Sequence, residues 1–167
     1  MSDESVVVRA TLGDLATVQE IRFRALEDAP YAFGSTLPRE RGLSDAEWRS
    51  RFDNGPWFVA YRGQRTVGVV AAFVEGDDRH LVSMWVEPAE RGTGTATALA
   101  RSVVKWAESE GARGVILWVA DGNSRARRFY ERLGFATTGR RQPLPSNPES
   151  GEEQFRLNLR AGPSATM

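Results

Sequence analysis

The chain contains no cysteine, a single histidine, no excess charge of either sign and no long apolar run, and each absence narrows what it can do. Without cysteine there is no disulfide, and the usual side chain for passing a group through an enzyme-bound thioester is missing, so any such transfer is expected to be direct. One histidine and no thiol would leave a zinc site to carboxylates, which suit that metal poorly, and no catalytic metal is expected. Lysine plus arginine number 22 and aspartate plus glutamate 22, giving a net charge of zero. No global field then attracts nucleic acid or an anionic membrane, and neither partner is expected. The start, Met1-Ser2-Asp3-Glu4-Ser5, lacks the basic and apolar regions of a signal peptide, and no apolar run approaches a membrane span. A cytoplasmic location is expected on these grounds. No Gly-Lys pair occurs either, which removes the Walker phosphate loop and with it a nucleoside triphosphatase.

What is present is ordinary for a globule: 167 residues, 41% of them hydrophobic and 26% charged, enough for one domain over residues 1–167. The last residues, 161–167, read as a frayed tail. Residues 57–62 and 65–74 are rich in Val, Phe, Tyr and Ala and read as strands, as do 5–10, 79–87 and 114–120, with further strands near 135–139 and 153–160. Arg62-Gly63-Gln64 reads as a hairpin turn and Gly76-Asp77-Asp78 as the next turn. Leu15, Val18, Ala25 and Leu26 define a helix that ends before Pro30, and Ser44 with Glu47 forms a capping box for a short helix over 44–53. The segments 28–36 and 140–148 are expected as loops, the second stiffened by three prolines.

The most informative stretch is Arg91-Gly92-Thr93-Gly94-Thr95-Ala96, set between an apolar strand stopped by Pro88 and a helix reaching about Glu110. Ala96, Leu99, Ala100, Val103, Val104 and Ala107 fall at steps of three and four, one apolar stripe of that helix. Its first N–H groups lack intrahelical partners, its dipole is positive there, and Gly92 and Gly94 admit close approach, so the loop is a cradle for an anion. A second segment runs from Asn123, a helix N-cap, to Gly134, a left-handed stop, with Ala126, Phe129, Tyr130 and Leu133 on one face.

Together these segments resemble the GCN5-related N-acetyltransferase (GNAT) family. Arg91, Gly94 and Ala96 match its [QR]-x-x-G-x-[GA] loop, and Asn123, Ala126, Tyr130, Gly134 and Phe135 match its N-x-x-A-x-x-x-Y-x-x-x-G-F helix. The resemblance implies a single α/β domain: a mixed, mostly antiparallel sheet of six to seven strands whose central parallel pair splays, flanked by about four helices. It implies acetyl-CoA as acyl donor, with the pantetheine arm along Met84, Trp85 and Val86 and the pyrophosphate on Arg91, Gly92, Thr93, Gly94, Thr95, Ala96 and Thr97. Asn123 would touch the arm besides capping its helix, and Tyr130 would protonate the departing thiolate. A phenol, with a pKa of about 10 against about 8.5 for a thiol, serves there as a weak acid or hydrogen-bond donor.

The base that takes the amine's proton is open among three residues. His80 titrates near neutrality, though it also reads as an exposed residue beside a turn. Ser83 would position water, or be satisfied by backbone. Glu40 would act as base or hold an amine cation, or stand exposed at a helix end. Tyr31, Phe33 and Glu40, with Arg141 in the later loop, are the candidate acceptor-binding residues, and the lengths of 28–43 and 140–152 argue for a covered pocket. The expected reaction is acetylation of a small primary amine such as an antibiotic, amino acid or polyamine. A protein N-terminal or lysine acetyltransferase and a non-catalytic CoA-binding module are the alternatives. Either a monomer or a homodimer is compatible with the sequence.

Overall fold

The computed structural model describes residues 4–159, apart from the side chain of Tyr31. In chain order the strands are β1 (Val6–Arg9), β2 (Trp57–Arg62), β3 (Arg65–Glu75), β4 (Asp78–Val86), β5 (Gly114–Ala120), β6 (Ala136–Leu144) and β7 (Asn147–Asn158). The helices are α1 (Leu15–Asp28), α2 (Leu37–Arg41), α3 (Asp45–Asp53), α4 (Thr95–Ser109) and α5 (Ser124–Arg132), with short 3-10 turns at Leu12–Asp14, Pro30–Ala32 and Pro88–Glu90. The seven strands form one sheet in the order β1-β2-β3-β4-β5-β7-β6, antiparallel throughout except for the parallel pair β4–β5. No helix among the described residues is long and apolar enough to cross a membrane.

Alternation along the strands builds a core on each face. Trp57, Val59, Val69 and Ala71 pack under α1 and α3 with Val18, Ile21, Ala25 and Trp48. Phe58, Ala60, Val70 and Ala72 face the other way, onto Leu99, Ala100, Val103 and Ala107 of α4. Gly68 is needed where α4 presses closest, since a Cβ there would lie 2.9 Å from Leu99 Cδ1 and 3.2 Å from the Trp85 carbonyl oxygen. Strand β5 is covered on both faces and reads accordingly as a continuous apolar run, Val115-Ile116-Leu117-Trp118-Val119.

One of the two expected loops is strand. Segment 140–148 belongs to a hairpin: β6 continues to Leu144, Pro145-Ser146 turn, and β7 begins at Asn147. Pro143 sits within β6 because β6 is the sheet's edge and its missing N–H breaks no inner ladder. The hairpin tip is tied down where the Ser146 hydroxyl donates to the Phe33 carbonyl at 2.6 Å. Segment 28–36 is a loop with one 3-10 turn at Pro30–Ala32, and α2 follows it, started by the Thr36 side chain, so five α-helices stand where about four were expected. Arg160, where the last strand was expected to end, and the tail 161–167 lie outside the described residues.

Helix α2 is anchored by charge. Glu40 is fully buried, 0% exposed, and its carboxylate receives two hydrogen bonds from Arg22 at 3.0 and 3.1 Å and one from Arg51 at 2.9 Å. Burial opposes the carboxylate's charge, but the Arg22 and Arg51 hydrogen bonds and the Arg22 charge outweigh it and hold the group down from 4.5 to about 2. A folded-state value below the unfolded one stabilises the fold above the unfolded value, here roughly 3 kcal/mol, lost as pH falls from about 4.5 through about 2. Glu40→Gln, which leaves two guanidinium groups unpaired, is expected to cost about 3–5 kcal/mol at pH 7. Urea titrations at pH 7 and pH 3 check both statements: the deficit of the variant against wild type should shrink at the lower pH.

Candidate active site

The parallel strands β4 and β5 share three register pairs, Asp78 with Gly114, Arg79 with Val115 and His80 with Ile116, and then part. Beyond them the β3–β4 register slips, with Val69 opposite Trp85 but Ala71 opposite Val82, so Ser83 and Met84 form a bulge. Ser83 has φ 60, the single positive value among described residues other than glycine. A left-handed serine in a strand is strained and persists only where its surroundings enforce it. Its hydroxyl makes no hydrogen bond within the described residues, so the expected alternative of a backbone-satisfied serine does not hold.

Two clefts meet at this bulge. The first, about 600 Å³, runs between the parted strands, walled by Leu81–Val86 on one side and Leu117–Ala120 on the other. Arg91, Gly92 and Ala96 close one end, while Asn123, Arg125, Arg128, Tyr130 and Arg132 contribute the α5 wall. The second, about 430 Å³, lies toward α1–α3 and the β6–β7 hairpin. Phe33, Val82, Ser83 and Trp118 line both, so a group in one reaches a group in the other across the bulge.

The glycine loop has the backbone of an anion cradle. Gly92 has φ 81 and Gly94 φ 95, and a Cβ at either would meet nothing, so conformation rather than crowding calls for glycine. Gly94 is the N-cap of α4, whose first N–H groups lack intrahelical partners, and Gly92 and Ala96 on either side of it line the cleft end. The threonine side chains of the loop are otherwise engaged. Thr93 Oγ1 donates to the Glu90 carbonyl, buried Thr95 Oγ1 donates to Glu90 Oε1 at 3.3 Å, and Arg62 grips the same carboxylate at 2.8–3.2 Å. Thr93 and Thr95, with their hydroxyls so engaged, have their backbone N–H groups to offer an anion, as Gly94 does. Arg91 and Trp85 share one anchor on α1: Asp28 Oδ2 accepts from Arg91 at 3.4 Å and from Trp85 Nε1 at 3.0 Å. Val86 is buried and Met84 half-buried at the end of the same strand.

Asn123 caps α5, its Oδ1 accepting from the Ala126 N–H at 3.2 Å. Tyr130 is buried edge-on between Phe129 and Phe135, at ring separations of 5.0 and 5.5 Å, while lining the first cleft. Burial raises its phenol well above the ordinary 10, so it stays protonated, a donor and not a base.

The second cleft corrects several expectations. His80 is not an exposed turn residue: its side chain is 13% exposed, stacked 4.7 Å from Phe73, with Nδ1 3.1 Å from Glu75 Oε2. Burial lowers its pKa below 6.5, more than Glu75 raises it, leaving a neutral imidazole at neutral pH. Glu40 is neither exposed nor a good proton acceptor, since two guanidinium groups keep it ionised, and they also occupy it against an amine cation. Arg141 lines neither cleft; it is bound at 2.6 Å to Asp121 and at 3.6 Å to Glu153 on the outer side of the hairpin. Phe33 is buried and lines both clefts, whereas the side chain of Tyr31 lies outside what the structure describes. A residue missed from sequence is Glu152 of β7, 7% exposed, lining the second cleft, accepting from Gln142, and raised in pKa chiefly by burial. Its signal was the alternation Glu152, Gln154 on the inward face of a strand. Among the described residues no group of three or more His, Asp or Glu side chains is placed to hold a metal.

A seven-stranded mixed sheet, opened between its parallel strands and bordered by a glycine cradle, is the fold of the solved acetyltransferases. An acetyltransferase of Streptococcus pneumoniae superposes with a TM-score of 0.76 at 19% identity, over 94% of this chain and all of that one. A Bacillus anthracis structure in complex with acetyl coenzyme A superposes with a TM-score of 0.58 at 20% identity over 64% of each chain. The model of the acetyltransferase (GNAT) family matches residues 18–135, and the chain belongs to that family. Among curated relatives it is 34% identical to a mycothiol acetyltransferase of Thermobispora bispora over 119 residues, 67% of this chain and 39% of that protein. The chain spans about two fifths of the length of the curated relatives it first matches.

The single histidine makes the second cleft measurable. In a pH titration followed by proton NMR, the His80 imidazole is expected to titrate below 6.5, and Glu75→Gln to lower its midpoint further by removing the charge that favours the imidazolium. A midpoint at or above 6.5 in the wild-type protein contradicts the burial described for this ring.

Proposed function

We propose that this chain is an acetyl-CoA-dependent N-acetyltransferase that moves the acetyl group directly to the primary amine of a small molecule. The observation that carries the reading is the meeting of two clefts at Ser83, one bordered by an anion cradle and the other by an imidazole and a buried carboxylate. Acetyl-CoA supplies the acetyl group as a thioester, already activated toward amine attack. The donors present fit such a ligand: backbone N–H groups at the start of α4 for the pyrophosphate, and Arg91, Arg125, Arg128 and Arg132 for its phosphate charge. Arg125, Arg128 and Arg132 make no ion pair within the described residues, which leaves them available. The edge of β4 beyond His80, including Met84, Trp85 and Val86, carries backbone groups that β5 no longer pairs, and an amide-bearing arm can take them as an added strand would. Asn123, fixed as the α5 cap, stands beside that arm.

Tyr130 donates to the leaving sulfur, a role for which its hydroxyl is kept protonated and without a partner in the described residues. The amine's proton goes to His80, which burial leaves neutral, with the Ser83 hydroxyl free to orient the amine or a water and Glu152, its proton affinity raised by burial, lining the same cleft. A small acceptor is favoured because the Ser146–Phe33 bond joins the hairpin tip to the 30–36 segment beside the second cleft, where a polypeptide would need an open groove. Thiol release from acetyl-CoA across a panel of amines tests this reading. Tyr130→Phe is expected to lower kcat roughly 10²-fold or more with KM for acetyl-CoA little changed. An unaltered kcat removes Tyr130 from the chemistry, and the absence of turnover with any amine or peptide despite acetyl-CoA binding leaves a binding module.

A further inference from the structure

The second cleft is electrically lopsided. Its helical wall carries Arg22, Arg39 and Arg51, and the one carboxylate there is Glu40, already divided between Arg22 and Arg51. Three guanidinium groups stand against one carboxylate on that wall, with the Glu47 carboxylate outside it near enough to feel Arg51 and Arg39, and guanidinium does not discharge at any physiological pH. The planes of two of them are fixed by stacking, Arg22 over Phe33 at 4.8 Å and Arg51 over Trp48 at 4.5 Å, so their N–H edges remain for hydrogen bonding. Arg22 is 5% exposed, and its Nη1 has no acceptor among the described residues. A donor so far from bulk water is costly to leave unmet, and Arg22 is one of the residues that line the cleft. Arg39, exposed at the same wall, makes no side-chain ion pair in the described residues. The opposite wall is of the other character, with His80, Ser83, Gln142 and Glu152 from β4, β6 and β7.

We propose that the acceptor carries an anionic group, a carboxylate in the simplest case, on the same small molecule as its primary amine. The carboxylate lies against Arg39, Arg51 and Arg22, and the amine lies across the cleft toward Ser83, His80 and Glu152, beneath the point where the two clefts meet. Arginine forks suit a carboxylate through paired N–H bonds. Polyamines and aminoglycosides, by the same charge, are poor acceptors, since their additional cations would face the guanidinium wall. This assignment rests on the transferase reading above and narrows its acceptor to amino-acid-like amines.

Matched acceptors separate the two statements. Eighteen proteinogenic amino acids, proline as a secondary amine and cysteine as a thiol being left out, differ from their α-carboxamides only in the α-carboxylate, and they are compared with spermidine and kanamycin by thiol release from acetyl-CoA. For the best acceptor the acid is expected to exceed its amide in kcat/KM by about tenfold or more, the factor of one desolvated ion pair. The amide's amine is the less basic, which biases the comparison against that result. Arg39→Gln, verified as folded by its thermal melt, should close the gap by raising KM for the acid while leaving the amide nearly unchanged. Equal values for acid and amide, a preference for spermidine or kanamycin, or an Arg39→Gln loss shared by acid and amide overturns the anionic acceptor and leaves the transferase standing. No thiol release with any amine, while acetyl-CoA still raises the melting temperature, overturns both.

Discussion

Strands β4 and β5 stop pairing after His80 and Ile116, and the backbone groups that they leave along Leu81–Val86 and Leu117–Ala120 have to be satisfied by something other than the sheet. Everything that makes this fold a site follows from that gap. The bulge at Ser83 turns β4 away while keeping it paired to β3, so the sheet stays continuous on one side and opens on the other. The helices α4 and α5 close the opening from one face, and α1 with the 30–36 segment closes it from the other. An open seam in the middle of a sheet would be a liability in a protein that bound nothing.

Two buried glutamates show how the same side chain is put to opposite uses. Glu40 is surrounded by guanidinium groups and stays ionised to about pH 2, which makes it a fixed counter-charge that pins α2 against α1 and α3. Glu152 has a single amide neighbour, Gln142, and burial governs it, so its affinity for a proton rises. Placing them on facing walls of one cleft separates structural charge from exchangeable charge.

What could be read from the chain beforehand was local. The capping box at Ser44 and Glu47, the Asn123 cap and the left-handed glycine at 134 depend on residues within a turn of one another, and each appears as the pattern requires. Strand β5 was bounded at both ends by its apolar run alone. The misreadings arose where partners lie far apart in sequence. Proline at 143 spoke for a loop because sequence does not tell an edge strand from an inner one. Glu40 looked exposed because its partners, Arg22 and Arg51, are 18 and 11 residues away. Glu152 is not legible because only the sheet order brings it into the same cleft as His80, and Arg141 is turned away from that cleft by Asp121, which lies at another strand's exit.

Helix α1 touches both halves of the site with its own side chains: Arg22 stands in the wall of one cleft, and Asp28 holds Arg91 and Trp85 at the border of the other. Six residues of helix separate these two positions, about 9 Å along the axis. The two clefts are therefore gauged from one rigid ruler, whose graduations are set by helical rise. Insertions in the surrounding loops can reshape either mouth without altering the offset between them.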